Sequence, residues 1–215
     1  MLRLFIETSN LDFQIALHDG ETFLYRSDNS GQNAPRDLTT LLEDGLNQTG
    51  RTAAELAEII VDIGPGGLTS TRSGIAFANG LAFALNIRIV EANGLELMML
   101  QTQRDQQEHV IAARRSNDGN YFLGFYHDAH CHRLALGKPQ ELIAELGWQD
   151  QRLAWIGPAP KPWAEDPPPF EVEFIDLMSP GLGAFEILLR QTGFADRPRK
   201  DAAGPINELI RLNEQ

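Results

Sequence analysis

The chain has a single cysteine, Cys131, so no intramolecular disulfide can form and nothing in it calls for an oxidising compartment. No apolar run approaches the roughly 18 residues that a membrane-spanning helix needs. The opening "MLRLFIETSN" lacks the charged stretch, apolar stretch and small-residue cleavage site of a secretory signal. The expected location is the cytoplasm, with no membrane as partner. Basic charge is also scarce: 18 Lys and Arg face 30 Asp and Glu, a formal charge of −12. That field repels phosphate backbones and argues against unaided nucleic-acid binding. Such acidity suits plain solubility, and equally suits docking on a basic partner. A hydrophobic content of 42% in 215 residues is ample for packed globular cores.

A phosphate-loop lysine is missing too. "DIGPGGLTSTRSGIAFANGLAFAL", Asp62 to Leu85, has the glycine-rich turn of such a loop but not the Gly-Lys-Ser/Thr that neutralises terminal phosphates and holds magnesium. The dinucleotide fingerprint fails at its third glycine, where Thr69 stands. What is left is a strand, a tight turn and a helix whose start carries Thr69, Ser70 and Thr71. These are candidates for helix capping or for an anion held by free backbone N–H groups.

Periodicity organises the rest. Strand patterns over 3–8, 12–17 and 22–26 form a three-stranded antiparallel meander, and a helix follows, opened by Pro35 and marked by Leu38, Leu41, Leu42 and Leu46 up to Gly50. A buried strand over 56–63, the small-residue helix over 71–85, a strand over 87–91 and a helix over 94–103 complete the first half. The second half repeats the order: strands over 109–114, 121–126 and 133–137, a helix over 139–146, a strand over 152–157, the stiff "EDPPP", and a strand over 170–177. Helices over 183–192 and 203–212 close the chain. The pattern β-β-β-α-β-α-β thus occurs twice, which predicts an α/β chain with subdomains 1–103 and 104–215 and a mixed five-stranded sheet in each.

In the helix over 71–85, Gly74, Ala78 and Ala82 form one row and Ala76, Gly80 and Ala84 another, nearly opposite. One row suits close packing on the chain's own sheet, and the other admits a second helix, from this chain or from a partner. Glu7 and Asp62 each end a strand, where a carboxylate pair can hold hydrated Mg²⁺ or simply be solvated. The matching strand of the second half offers "AARRSN" instead of a facing acid, which argues against phosphoryl transfer by this chain alone. His127, His130, Cys131 and His132 are metal-ligand types at a hairpin, poorly spaced for one site; exposed turn histidines are the other reading. No Gly-x-Ser-x-Gly elbow is present.

"LFIETSNLDFQIAL" with "IIVDIGPGGLTSTRSGIAFANGLAFAL" resembles the TsaB (YeaZ) family, glycoprotease-like relatives whose usual forms are a first strand ending Asp-Thr-Ser and a Gly-Pro-Gly-Ser-Phe-Thr-Gly-Leu-Arg-x-Gly segment. "VIAARRSNDGNYFLGFY" and "LAWIGPAP" extend the likeness loosely through the second half. Glu7 stands where Asp is usual, Gly67-Leu68 replaces Ser-Phe, Ser70-Thr71 replaces Gly-Leu, and "GQNAPRDL" lacks the family's His-Ser/Ala-Glu. The resemblance implies a duplicated actin-like ATPase, RNase H-like fold. It also implies a non-catalytic role beside TsaD-type and TsaE-type proteins in making N6-threonylcarbamoyladenosine on tRNA, which is met only through the complex. A homodimer is implied in isolation. No cofactor is expected on this chain alone, with ATP or ADP at the partner interface as the open alternative. By resemblance the interface comprises Pro35, Leu38, Leu42, Arg72, Ala76, Phe77, Gly80 and Ala84, with Glu7, Thr8, Gly64, Gly66 and Thr69 near any anion or nucleotide. Neither a catalytic nor a metal residue is implied, and peptidase chemistry lacks a motif. A stand-alone actin-like ATPase or small-molecule kinase is the competing reading, motivated by Glu7, Asp62 and the glycine turn.

Overall fold

A computed structural model describes residues 1–10, 12–27, 37–104, 108–116, 119–128 and 130–206. Two compact units divide the described chain, and they are not its two halves: Met1–Gly94 with Gly181–Ile206 form the first, and Leu95–Pro180 belong to the second. The division expected at 103/104 follows sequence order. The observed one brings the stretch 181–206 back to the unit where the chain began.

In the first unit, β1 (Leu2–Glu7), β2 (Gln14–His18) and β3 (Phe23–Arg26) form the meander, followed by α1 (Leu38–Thr49), β4 (Leu56–Asp62), α2 (Leu68–Leu85) and β5 (Arg88–Ala92). The sheet order is β3-β2-β1-β4-β5, antiparallel through the meander and parallel from β1 to β5. β1 and β4 are central and covered on both faces, hence their near-continuous apolar runs. β2 reads in sequence as one apolar face, yet Ile15, Ala16 and Leu17 are all fully buried. The second cover is α6 (Leu182–Arg190), which lies over β1 and β2 and stacks Phe185 on Phe5 with ring centroids 5.2 Å apart. The hydrophobic meander thus needs a helix that the chain reaches only after the whole second sheet.

The second unit holds α3 (Gly94–Gln101) from its second residue, β6 (His109–Arg115), β7 (Tyr121–His127), β8 (His130–Gly137), α4 (Pro139–Glu145), β9 (Leu153–Ile156), α5 (Pro162–Glu165) and β10 (Val172–Ile175). Its sheet order, β10-β9-β6-β7-β8, repeats that of the first unit. The duplicated fold expected from the pattern, with a mixed five-stranded sheet each time, is therefore present. The turn after each fourth strand is related as well: Asp62-Ile63-Gly64-Pro65 in the first unit corresponds to Trp155-Ile156-Gly157-Pro158 in the second. Where the first has a carboxylate, the second has an indole whose Nε1 donates to the Pro158 carbonyl at 3.2 Å. Trp155, Trp163 and Tyr121 fill that end with edge-on ring contacts.

Local boundaries moved for identifiable reasons. α1 starts at Leu38 because Asp37 caps it, accepting from Thr39 N at 2.9 Å and from the Thr40 hydroxyl at 2.9 Å. The expected opening residue, Pro35, lies outside the described residues. α2 starts at Leu68, so Thr69, Ser70 and Thr71 occupy its first turn, and the N-cap is Gly67 with no side-chain cap. Of the helix expected over 203–212, residues 203–205 are not helical and those after 206 lie outside the described residues.

Candidate functional site

Glu7 and Asp62 emerge side by side, because parallel β1 and β4 pair Ile6 with Val61 one position earlier. Neither carboxylate is presented to solvent. Glu7 is buried, and its Oε1 accepts from Ser9 N at 2.9 Å and from the Ser9 hydroxyl. Asp62 is buried, and its Oδ1 accepts from Gly64 N at 2.7 Å. Each acid therefore shapes the turn that follows its own strand, a use for which the solvated-carboxylate expectation made no room. Gly64 needs its missing side chain, since the turn sets its φ at 89°, ahead of a cis bond to Pro65. The turn is then pinned from two sides: Gly67 N donates to Ser9 O at 2.9 Å, and Gly94 N donates to Gly64 O at 2.7 Å.

Of the residues expected near an anion, Thr8 is fully buried, Gly64 is buried, Gly66 is half-buried and Thr69 is exposed. Thr69 contributes its carbonyl to the Ser73 hydroxyl at 2.9 Å, and Ser70 donates to Gly67 O at 2.9 Å. The Ser70 and Ser73 hydroxyls thus bond back along the helix, the Thr71 hydroxyl is buried without a hydrogen-bond partner among the described residues, and the capping cluster expected does not form. Two buried carboxylates beside the turn also disfavour a phosphate there. Among the described residues no group of three or more His, Cys, Asp or Glu is placed to hold a metal ion.

The two small-residue rows of α2 have opposite fates. Gly74, Ala78 and Ala82 are buried, and a Cβ on Gly74 would sit 2.1 Å from Thr8 Oγ1, so only glycine lets α2 lie this close to the end of β1. Ala76, Gly80 and Ala84 are exposed, and a Cβ on Gly80 would meet nothing within 4 Å. Helical spacing puts Thr69, Arg72, Ala76, Gly80 and Phe83 on one outward face. Phe83 is 89% exposed there, the most exposed large apolar side chain of the described residues. Sequence reasoning passed over Phe83, although its i+3 and i+7 spacing from Gly80 and Ala76 was the available signal. Phe77 is half-buried. Leu38 and Leu42, expected at the interface, are buried in the core of the first unit, where α1 packs on β2 and β3. Their i, i+4 spacing marks the inner face of α1, and the outer face carries Thr39, Glu43 and Asn47.

In the second unit, Arg104 and Arg152 line a cavity of about 340 Å³ together with Glu108, His109 and Glu173. Arg104 donates to Glu173 at 2.7 and 3.0 Å and pairs with Glu108, hydrogen bonds that raise its pKa and occupy it. Carboxylates match the guanidinium groups, so this is no anion cradle. Cys131 lies at the surface, yet desolvation of its thiol, followed by the Glu96 charge, pushes the pKa up to about 11. It is a poor nucleophile at neutral pH.

The duplicated sheet order and the acids buried at strand ends define an α/β protein of the actin-like, RNase H-like class. A family profile for TsaD, tRNA N6-adenosine threonylcarbamoyltransferase, matches residues 31–118. A solved structure described as an uncharacterized protein with similarity to peptidase YeaZ, from Pseudomonas aeruginosa, superposes with a TM-score of 0.74 at 20% identity, covering 95% of this chain and 97% of that one. YeaZ from Pseudomonas aeruginosa gives 0.72 at 21%, covering 93% and 94%. The fold is that of these YeaZ structures, and the TsaD profile falls on residues 31–118 of it.

Proposed function

We propose that this chain is a non-catalytic subunit of the machinery that makes N6-threonylcarbamoyladenosine on tRNA, and that it stabilises and activates a TsaD-type catalytic partner through α2. The outward row Ala76-Gly80-Phe83 carries this reading, since Ala76 and Gly80 are small, Phe83 is a large apolar ring, and all three are exposed among the described residues. A helix with a glycine at its centre admits another helix at the short end of the usual range of about 8 to 10 Å. Phe83 then supplies an anchor at the edge of that contact. The profile match to residues 31–118 includes the whole of α2 and supports the same reading. The same face serves a homodimer when the partner is absent. A TsaE-type protein and ATP or ADP belong to the assembled complex, and tRNA is met there as well.

Co-purification with a TsaD-type protein, and loss of the modified nucleoside from tRNA on depletion, are the expected results. Unchanged tRNA modification after deletion would overturn the proposal. The ATPase or kinase reading predicts Mg-ATP binding by the isolated chain in calorimetry. The burial of Glu7 and Asp62 in their own turns supports the opposite outcome. No helix of the described residues is long and apolar enough to cross a membrane.

A further inference from the structure

One end of the second unit's sheet gathers side chains that the proposed function does not use. His109 opens β6 and His127 closes β7, and their rings stack with centroids 4.0 Å apart and 15° between planes. His132 on β8 lies 6.0 Å from His127. Trp148, which follows α4, closes over the group: it meets His109 edge to face at 4.7 Å, Phe125 at 5.5 Å and His132 at 6.1 Å, and is itself buried. The three rings therefore come from three neighbouring strands and share one indole lid.

The charges around this stack accommodate one proton but not two. Asp128, in the turn after β7, has its Oδ2 3.5 Å from His127 Nε2, so a charge on His127 has a counter-ion. His109 has Glu108 as its sequence neighbour, but Glu108 is engaged by Arg104. On the β8 side, Arg133 pairs with Glu145 of α4 at 2.7 Å, and the exposed His130 lies against the Asp128 carbonyl. A second proton, on His109, would face the His127 charge across a stacking distance, with Asp128, already the counter-ion of His127, as the shared carboxylate for both. Burial, followed by the charges of His127 and His132, holds the His109 pKa below its ordinary value.

We propose that His109, His127, His132 and Trp148 form an acid-operated latch, in which charging both stacked rings parts them and releases Trp148 from the end of the sheet. Local release, with the sheets intact, is the essential content. Trp148, Trp155 and Trp163 are all in this unit, so tryptophan emission reports on it alone.

The test is to follow emission wavelength, acrylamide quenching and far-ultraviolet circular dichroism of the full chain between about pH 8 and pH 5. The expected result is a red shift and a rise in quenching on acidification, with a midpoint below the ordinary histidine value and no change in the dichroism. Both changes should vanish in Trp148→Phe and shrink in His109→Gln, which keeps a polar side chain but cannot take the second proton. An equal shift in Trp148→Phe would overturn the proposal. So would loss of dichroism at the same pH, since that is unfolding of the unit. Should the variants fail to fold, the wild type still decides: histidine ring resonances that show His109 and His127 both protonated, with emission and quenching unchanged, would also overturn it.

Discussion

Two glycines six residues apart in α2 demand opposite consequences from the same substitution. At Gly80 a methyl group meets open space, so Gly80→Ala should stabilise the chain by about 0.5–1 kcal/mol through helix propensity and unfolded-state entropy. At Gly74 the methyl group runs into the fully buried Thr8 side chain, and Gly74→Ala should destabilise by roughly 1–3 kcal/mol. Denaturant titration of the two variants measures both. His18 offers a second test. It is buried between Phe5 and Phe23, its Nδ1 accepts from Gly20 N at 3.0 Å, and burial with the nearby Arg3 charge lowers its pKa. The unfolded chain then binds the proton more readily, so this contribution is complete above the unfolded value of about 6.5 and declines as pH falls through the folded one. Melting temperature should drop on acidification in that window, and less so in His18→Asn, which keeps an acceptor but cannot be protonated. Spacing alone revealed that α2 has two small rows, since 3.6-residue geometry is local. Which row faces the sheet was not legible, because that depends on Thr8, more than 60 positions away.

Among elements, the segment after α6 carries information that periodicity does not. Residues 199–206 run beside β5: Ile89 and Lys200 exchange backbone hydrogen bonds at 2.9 and 2.8 Å, and Ile206 N donates to Ile63 O at 2.9 Å. Asn79 of α2 clasps the backbone of Ala203 in both directions, at 2.8 and 3.1 Å. Arg199 and Arg3 share buried Glu58, each at 3.0 Å. The segment thus covers the edge that β5 would otherwise leave unpaired. Asn79→Ala should cost about 1–2 kcal/mol and raise hydrogen exchange at Ile89 and Lys200 before the rest of the sheet. Strands and most helices were readable here because their apolar patterns are continuous over several residues. The edge segment has no such pattern, and its bonds are made by backbone groups whose partners only the tertiary fold supplies. The inward turn of Leu38 and Leu42 was missed for a different reason: family likeness named the helix, while the helix's own spacing already marked those leucines as its core face.

At the scale of the molecule, the duplication was visible as order alone, since the two halves share a pattern of elements with negligible identity. Their turns have diverged chemically, Asp62 against Trp155, and the exposed row of Ala76, Gly80 and Phe83 lies on α2 of the first unit. Gly80→Leu adds bulk where nothing of the same unit is displaced, so it should leave melting unchanged or slightly raised while abolishing partner association and self-association. Size-exclusion chromatography and pull-down measure the two halves of that statement. A variant that still associates would move the interface elsewhere.

The return of 181–206 to the first unit also sets a timetable. A ribosome releases β1 to β5 long before α6 and the edge segment exist, so the first unit must wait, with Phe5 and the inner face of β2 uncovered, until residues 181–206 have emerged. The sheet of the second unit has no such wait, because its strands, from β6 to β10, all precede α6 in the chain. Nascent chains stalled short of α6 should therefore protect the later-made unit from protease while the first-made one is still cut.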